Sequence, residues 1–125
     1  MAIYDGFVPG RHLIDAYGGG GFRFADMSHQ GSILALPSGI SAWAPTRAAG
    51  LTPEDFDSVL AESDTIKLLL VGTGANIARL SEPVRARLRA AGIGLDEMQT
   101  GAAARTYNVL LAENRRVAAA LIAVT

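Results

Sequence analysis

The stretch Ile66-Lys67-Leu68-Leu69-Leu70-Val71-Gly72-Thr73-Gly74 constrains this chain more than any other. A nearly continuous apolar run of strand length stops at Gly-Thr-Gly. Such a run is what a strand buried on both faces requires. The glycines mark a tight turn, and a helical pattern follows, so the stretch predicts strand, turn and helix. Units of this kind build open α/β sheets. Their ligands sit beyond the carboxyl ends of the parallel strands. The stretch therefore places a candidate site without naming its chemistry.

The remaining pattern supports the same class. Before residue 51 the chain is rich in turns. Residues 12–17 read as a short strand running into a flexible connection, Gly18-Gly19-Gly20-Gly21. Phe22-Arg23-Phe24-Ala25 alternates as a half-exposed strand does, and 31–37 and 40–44 read as two more strands. These predict antiparallel pairs packed on the rest. Thr52, Pro53 and Asp55 then give a helix start of the capping-box type, with Phe56, Val59 and Leu60 as its apolar stripe. Ser81 and Pro83 open a second helix that stops before Gly92. Residues 93–98 read as a strand. Thr100 is expected to cap a third helix, in which Ala103, Tyr107, Leu110 and Leu111 recur at helical spacing. The chain closes on 116–124, where alanine leaves the type ambiguous and length and β-branched ends favour a central strand. Strands alternating with helices across 40–124 predict a largely parallel central sheet covered by about three helices.

The chain has 125 residues, half of them apolar, which suits one domain spanning 1–125 with a substantial core. A formal net charge of −1 gives no electrostatic reason to expect nucleic acid or anionic lipid. No cysteine means no disulfide, no thiolate metal site and no thiol nucleophile. Met1-Ala2-Ile3-Tyr4-Asp5-Gly6 lacks the basic and apolar regions of a leader. No uninterrupted apolar run approaches the ~20 residues of a membrane span. A soluble cytoplasmic protein is the expectation.

Few residues carry a chemical signal. Gly72-Thr73-Gly74-Ala75-Asn76-Ile77 invites a nucleotide reading, because glycines let a backbone approach phosphate at a helix N-terminus. Ile77 stands where the dinucleotide fingerprint needs Gly or Ala, and only Asp96 or Glu97 lies near the position of the acidic ribose partner. Tight binding of NAD, FAD or ATP is not expected, and no cofactor is assigned. His12 with Asp15, and Asp26 with His29, put imidazole near carboxylate in sequence. Residues three apart in a strand face opposite ways, so no metal or hydrolytic site is expected from them. Arg85, Arg87 and Arg89 read as a solvated helix face or as a patch for an acidic partner. Trp43 suits a core or a partner interface equally.

Several landmarks together resemble the family that includes the mitochondrial NADH dehydrogenase (complex I) assembly factor 3. They are Tyr17-Gly18, Gly21-Phe22, Gly31-Ser32-Ile33-Leu34 with Pro37, Trp43, and Gly72-Thr73-Gly74. The series continues through Met98-Gln99-Thr100, Ala103-Ala104-Arg105-Thr106-Tyr107-Asn108 and Glu113-Asn114-Arg115-Arg116-Val117. Their order covers the chain from about residue 12. The resemblance implies a compact three-layer α/β domain with a mixed central sheet. It also implies an assembly role carried by protein contacts, not by catalysis. The leading expectation is thus a non-catalytic domain with a protein partner, aiding assembly of a membrane-associated complex. The alternative is an enzyme or small polar ligand binder using the carboxyl edge of the sheet. In that reading Gly72, Gly74, Asn76, Thr100 and Thr106 surround the ligand, with Asn76, Arg105 and Asn108 as polar contacts. Thr73 and Trp43 complete the candidate ligand-binding or partner-binding set.

Overall fold

The computed structural model describes residues 6–125, so residues 1–5, read above for a leader, lie outside the described residues. Strands β1 (Phe7–Pro9), β2 (Ala16–Gly18), β3 (Gly21–Phe24), β4 (Met27–Gln30), β5 (Ser32–Leu36) and β6 (Gly39–Trp43) come first. A 3-10 turn, Pro53–Phe56, leads into the short helix α1 (Asp57–Ala61). Then follow β7 (Leu68–Gly72), α2 (Glu82–Ala90), β8 (Gly94–Met98), α3 (Thr100–Ala112) and β9 (Val117–Leu121).

The central sheet is six-stranded, in the order β1-β6-β5-β9-β7-β8. It is mixed. Parallel pairing is confined to β7 with β8 and β7 with β9, whereas β9–β5, β5–β6 and β6–β1 are antiparallel. The parallel character expected across 40–124 therefore belongs to one half only. A helix returns the chain between β7 and β8 and again between β8 and β9, which is what parallel neighbours need. β5 and β6 need only the tight turn at Pro37-Ser38.

Period-two alternation divides the core into two apolar clusters, one on each face of the sheet. Leu34, Leu69, Val71, Ala118 and Ala120 face α1 and α2, meeting Phe56, Val59, Val84 and Leu88. Ile33, Ala35, Leu70, Ala119 and Leu121 face the other way, meeting Ala103, Ala104 and Tyr107 of α3. Phe22 and Phe24 join that second cluster from the smaller antiparallel sheet β2-β3-β4. The domain thus has three layers.

Several local expectations shift. Of the first strand read from the sequence, 12–17, only Ala16 and Tyr17 are strand. The glycine run is not one loose connection, since Gly18 pairs with Gly21 and only Gly19-Gly20 turns. The helix expected after Thr52 begins as a 3-10 turn, with the Asp55 carboxylate accepting the Thr52 N–H at 2.8 Å. The last strand ends at Leu121, earlier than 124. α3 has its N-cap at Gln99, so Thr100 is its first residue and not its cap.

Alanine in β9 follows from its place. Ala119 and Ala120 have no exposed surface and lie between β5 and β7. A larger side chain has nowhere to go. Ala119→Leu and Ala120→Leu should each lower stability by about 1–3 kcal/mol through overpacking. Denaturant titration checks this, and unchanged midpoints in both would contradict the placement of β9.

Candidate functional site

The carboxyl edge of β7 does not lead into a helix. Residues 73–81 are irregular, and α2 starts only at Glu82. What holds this edge is a knot of hydrogen bonds. The Thr100 hydroxyl, fully buried, donates to the Ile122 carbonyl at 2.6 Å and accepts the Gly74 N–H at 3.0 Å. The Thr100 N–H donates to the Gly74 carbonyl at 2.9 Å, and the Ile122 N–H to the Gly72 carbonyl at 2.9 Å. The Thr73 N–H reaches the Met98 carbonyl at 2.8 Å. β7, β8, β9 and α3 thus converge on one point.

The Thr73 hydroxyl is also committed. It lies 2.7 Å from the Asn76 carbonyl and 3.1 Å from that of Met98, and it accepts the Ala78 N–H at 3.0 Å. These bonds spend the loop's polar groups on the fold. Ala75, Asn76 and Ile77 turn outward, and Ile77 is 68% exposed.

The other predicted residues lie elsewhere. Trp43 shares this end of the sheet but points into the core, where its indole N–H donates to the Asp55 carbonyl at 2.8 Å. Its ring meets Phe56 edge-on at 5.5 Å. Arg105 is exposed and Thr106 half-buried on α3. Asn108 lies roughly 12 Å along that helix from Thr100, at 1.5 Å per residue. Its amide is occupied, accepting the Ile14 N–H and donating to the Ile14 carbonyl, both at 2.8 Å.

That clamp belongs to a strap the sequence reading missed. Tyr17 lies over Gly101, where any side chain would collide with its ring. Ile14 is held by Asn108, and the Arg11 guanidinium reaches the Arg115 carbonyl at 3.3 Å. Three extended residues and seven helical residues both cover about 10 Å, so the segment tracks α3 antiparallel to it. Burial pushes the Tyr107 hydroxyl up to about 12, against the opposing charge of Arg11. The available signal was an asparagine inside a helix otherwise rich in Ala and Leu, a position that needs a partner to justify it.

The remaining candidates separate in the same way. The Arg85 guanidinium donates to both Glu97 oxygens at 2.8 Å, joining α2 to β8. Glu97 is thereby taken from any ribose, residues 73–81 start no helix, and at the α3 N-terminus the Thr100 N–H already donates to the Gly74 carbonyl. Arg89 pairs with Glu82 at 2.9 Å and holds its carboxyl below the usual range, while Arg87 is exposed. His12 Nε2 lies 2.9 Å from the Pro9 carbonyl, and His29 is buried beside Phe24. Among the described residues no three His, Asp or Glu side chains gather as metal ligands do.

A family model described as a protein of unknown function (DUF498/DUF598) matches residues 14–122. The chain belongs to this family. An uncharacterised Rhodobacter capsulatus protein is 39% identical over 122 residues, covering 98% of this chain and 93% of that one. The mouse NADH dehydrogenase (ubiquinone) 1 alpha subcomplex assembly factor 3 is 31% identical over 122 residues. That match covers 98% of this chain but 66% of the mouse protein, so the chain spans just under two thirds of that relative's length. A Bartonella henselae protein described as an outer membrane protein has a crystal structure with a TM-score of 0.91 and 57% sequence identity. The match covers 94% of this chain and 98% of that one. The family resemblance read from the sequence is therefore correct. Among the described residues no helix is long and apolar enough to cross a membrane.

The knot explains both glycines at the edge. A Cβ on Gly72 would lie 2.8 Å from Thr100 Cα and 2.9 Å from its hydroxyl oxygen. Gly74 has φ +105°, which side chains rarely adopt. Gly72→Ala should fail by collision and Gly74→Ala by backbone strain, each costing about 1–3 kcal/mol. Denaturant midpoints measure this, and wild-type values in both variants would show the glycines to be incidental.

Proposed function

We propose that this chain is a non-catalytic protein-binding domain that aids assembly of a membrane-associated complex. One observation carries the reading. At the carboxyl edge, the Thr73 and Thr100 hydroxyls are bonded to backbone, while Ile77 stands 68% exposed. Binding a small polar ligand needs free polar groups converging in a cleft, whereas a partner surface needs exposed apolar area. The relatives named as assembly factors for NADH dehydrogenase support the choice of process. In this proposal Asn76 and Ile77 meet the partner directly, with Arg105 and Thr106 as flanking contacts. Gly72, Thr73, Gly74 and Thr100 fix the loop, Trp43 braces the adjoining core, and Asn108 holds the strap.

The test is genetic, in the organism that encodes the chain. Deletion should lower the amount of fully assembled NADH dehydrogenase on a native gel. The wild-type gene should restore it, and Ile77→Asp, a change at a solvent-exposed position, should not. An unchanged level of assembled complex after deletion would overturn the assembly reading. Cytoplasmic location is part of the proposal, and cell fractionation tests it. Recovery with the outer membrane would overturn that part.

A further inference from the structure

At the opposite end of the sheet the structure brings Arg11 and Lys67 to the Arg115-Arg116 pair. A cavity of about 360 Å³ opens there, between the start of β7 and β9 and the end of α3. Lys67, Arg115 and Arg116 line it, together with Leu68, Leu110 and Val117. Among the described residues no carboxylate lines it. Arg11 stands beside it through its 3.3 Å bond to the Arg115 carbonyl. Four of the chain's cations thus meet at one end, although the formal net charge is −1.

Their pairing differs from that of the arginines on α2. Arg85 and Arg89 have close carboxylate partners at 2.8 and 2.9 Å. Among the described residues, neither Lys67 nor Arg116 has an ion-pair partner. Arg115 has only Glu113, at 3.9 Å and with both side chains largely exposed, a contact worth little. The carbonyls ending α3 carry partial negative charge, which a nearby cation complements. Arg11 already serves the Arg115 carbonyl, and this leaves three cations facing the cavity.

We infer that this cavity binds an acidic segment of a protein partner, in which carboxylates flank one apolar side chain. The cations meet the carboxylates, and Leu68, Leu110 and Val117 meet the apolar group. Inorganic phosphate would gain nothing from that apolar wall. A bilayer presents a flat surface, not a chain able to enter a concavity. The inference rests on the protein-binding reading and supplies the partner's chemistry.

The probe is a five-residue acidic peptide with one central leucine, titrated into the isotope-labelled full chain by NMR. Shifts should concentrate at Lys67, Leu68, Leu110 and 114–117, with half-saturation below ~1 mM at low salt. Raising ionic strength should weaken binding, as screening demands. Lys67→Glu and Arg116→Glu should each weaken it at least tenfold. Arg47→Glu makes the same charge change in the loop after β6, at the other end of the sheet, and should alter it less than twofold. Absence of shifts at millimolar peptide would overturn the inference, as would equal loss in Arg47→Glu. Binding of anionic vesicles without binding of the peptide would overturn it too. If the peptide fails while deletion still lowers the assembled complex, only this inference falls. If the peptide binds with no deletion effect, the inference stands and the assembly reading falls.

Discussion

The fold depends most on one hydroxyl. Thr100 bridges the Ile122 carbonyl and the Gly74 N–H from a position with no solvent access. A buried donor or acceptor without a partner costs about 1–3 kcal/mol, and here one oxygen satisfies two backbone groups. The bridge also sets spacing. Gly72 must lack a side chain because Thr100 approaches so closely, and α3 must begin where it does because Thr100 is its first residue. The strap then takes its position from α3, through Gly101 and Asn108.

This economy shapes the functional reading. Several groups that look like ligand contacts in the sequence are consumed by structure. Thr73, Thr100, Glu97 and Asn108 all bond to backbone or to an arginine. Among what stays outward are Ile77 at one end and a set of cations around a cavity at the other. Surfaces of these two kinds suit contacts with another protein better than chemistry on a small molecule.

The sheet was legible wherever a strand is buried on both faces. Ile66 to Val71 and the alanine-rich end show it, because burial there permits nothing but apolar residues. Strand direction was not legible in the same way. Nothing local in Ser32-Ile33-Leu34-Ala35-Leu36 states that β5 runs antiparallel to β9, since that pairing joins residues far apart in sequence. The expected helix after Gly72-Thr73-Gly74 failed because the Thr73 hydroxyl accepts the Ala78 N–H and holds an irregular loop. The basic end escaped a linear scan for a related reason. Arg85, Arg87 and Arg89 are close in sequence but two of them are paired with carboxylates, whereas Arg11, Lys67 and the Arg115-Arg116 pair are far apart in sequence and close in space.

The comparison of Thr100→Val with Thr100→Ser tests the central claim most directly. Valine keeps the shape and removes the hydroxyl, while serine keeps the hydroxyl and removes a methyl group. If the bridge holds the edge together, Thr100→Val leaves two buried backbone groups without partners and loses at least ~2 kcal/mol. Thr100→Ser should then be the more stable variant in denaturant titration, despite its smaller apolar volume. A valine variant as stable as the serine variant, or more so, would show that packing and not the hydroxyl fixes this junction.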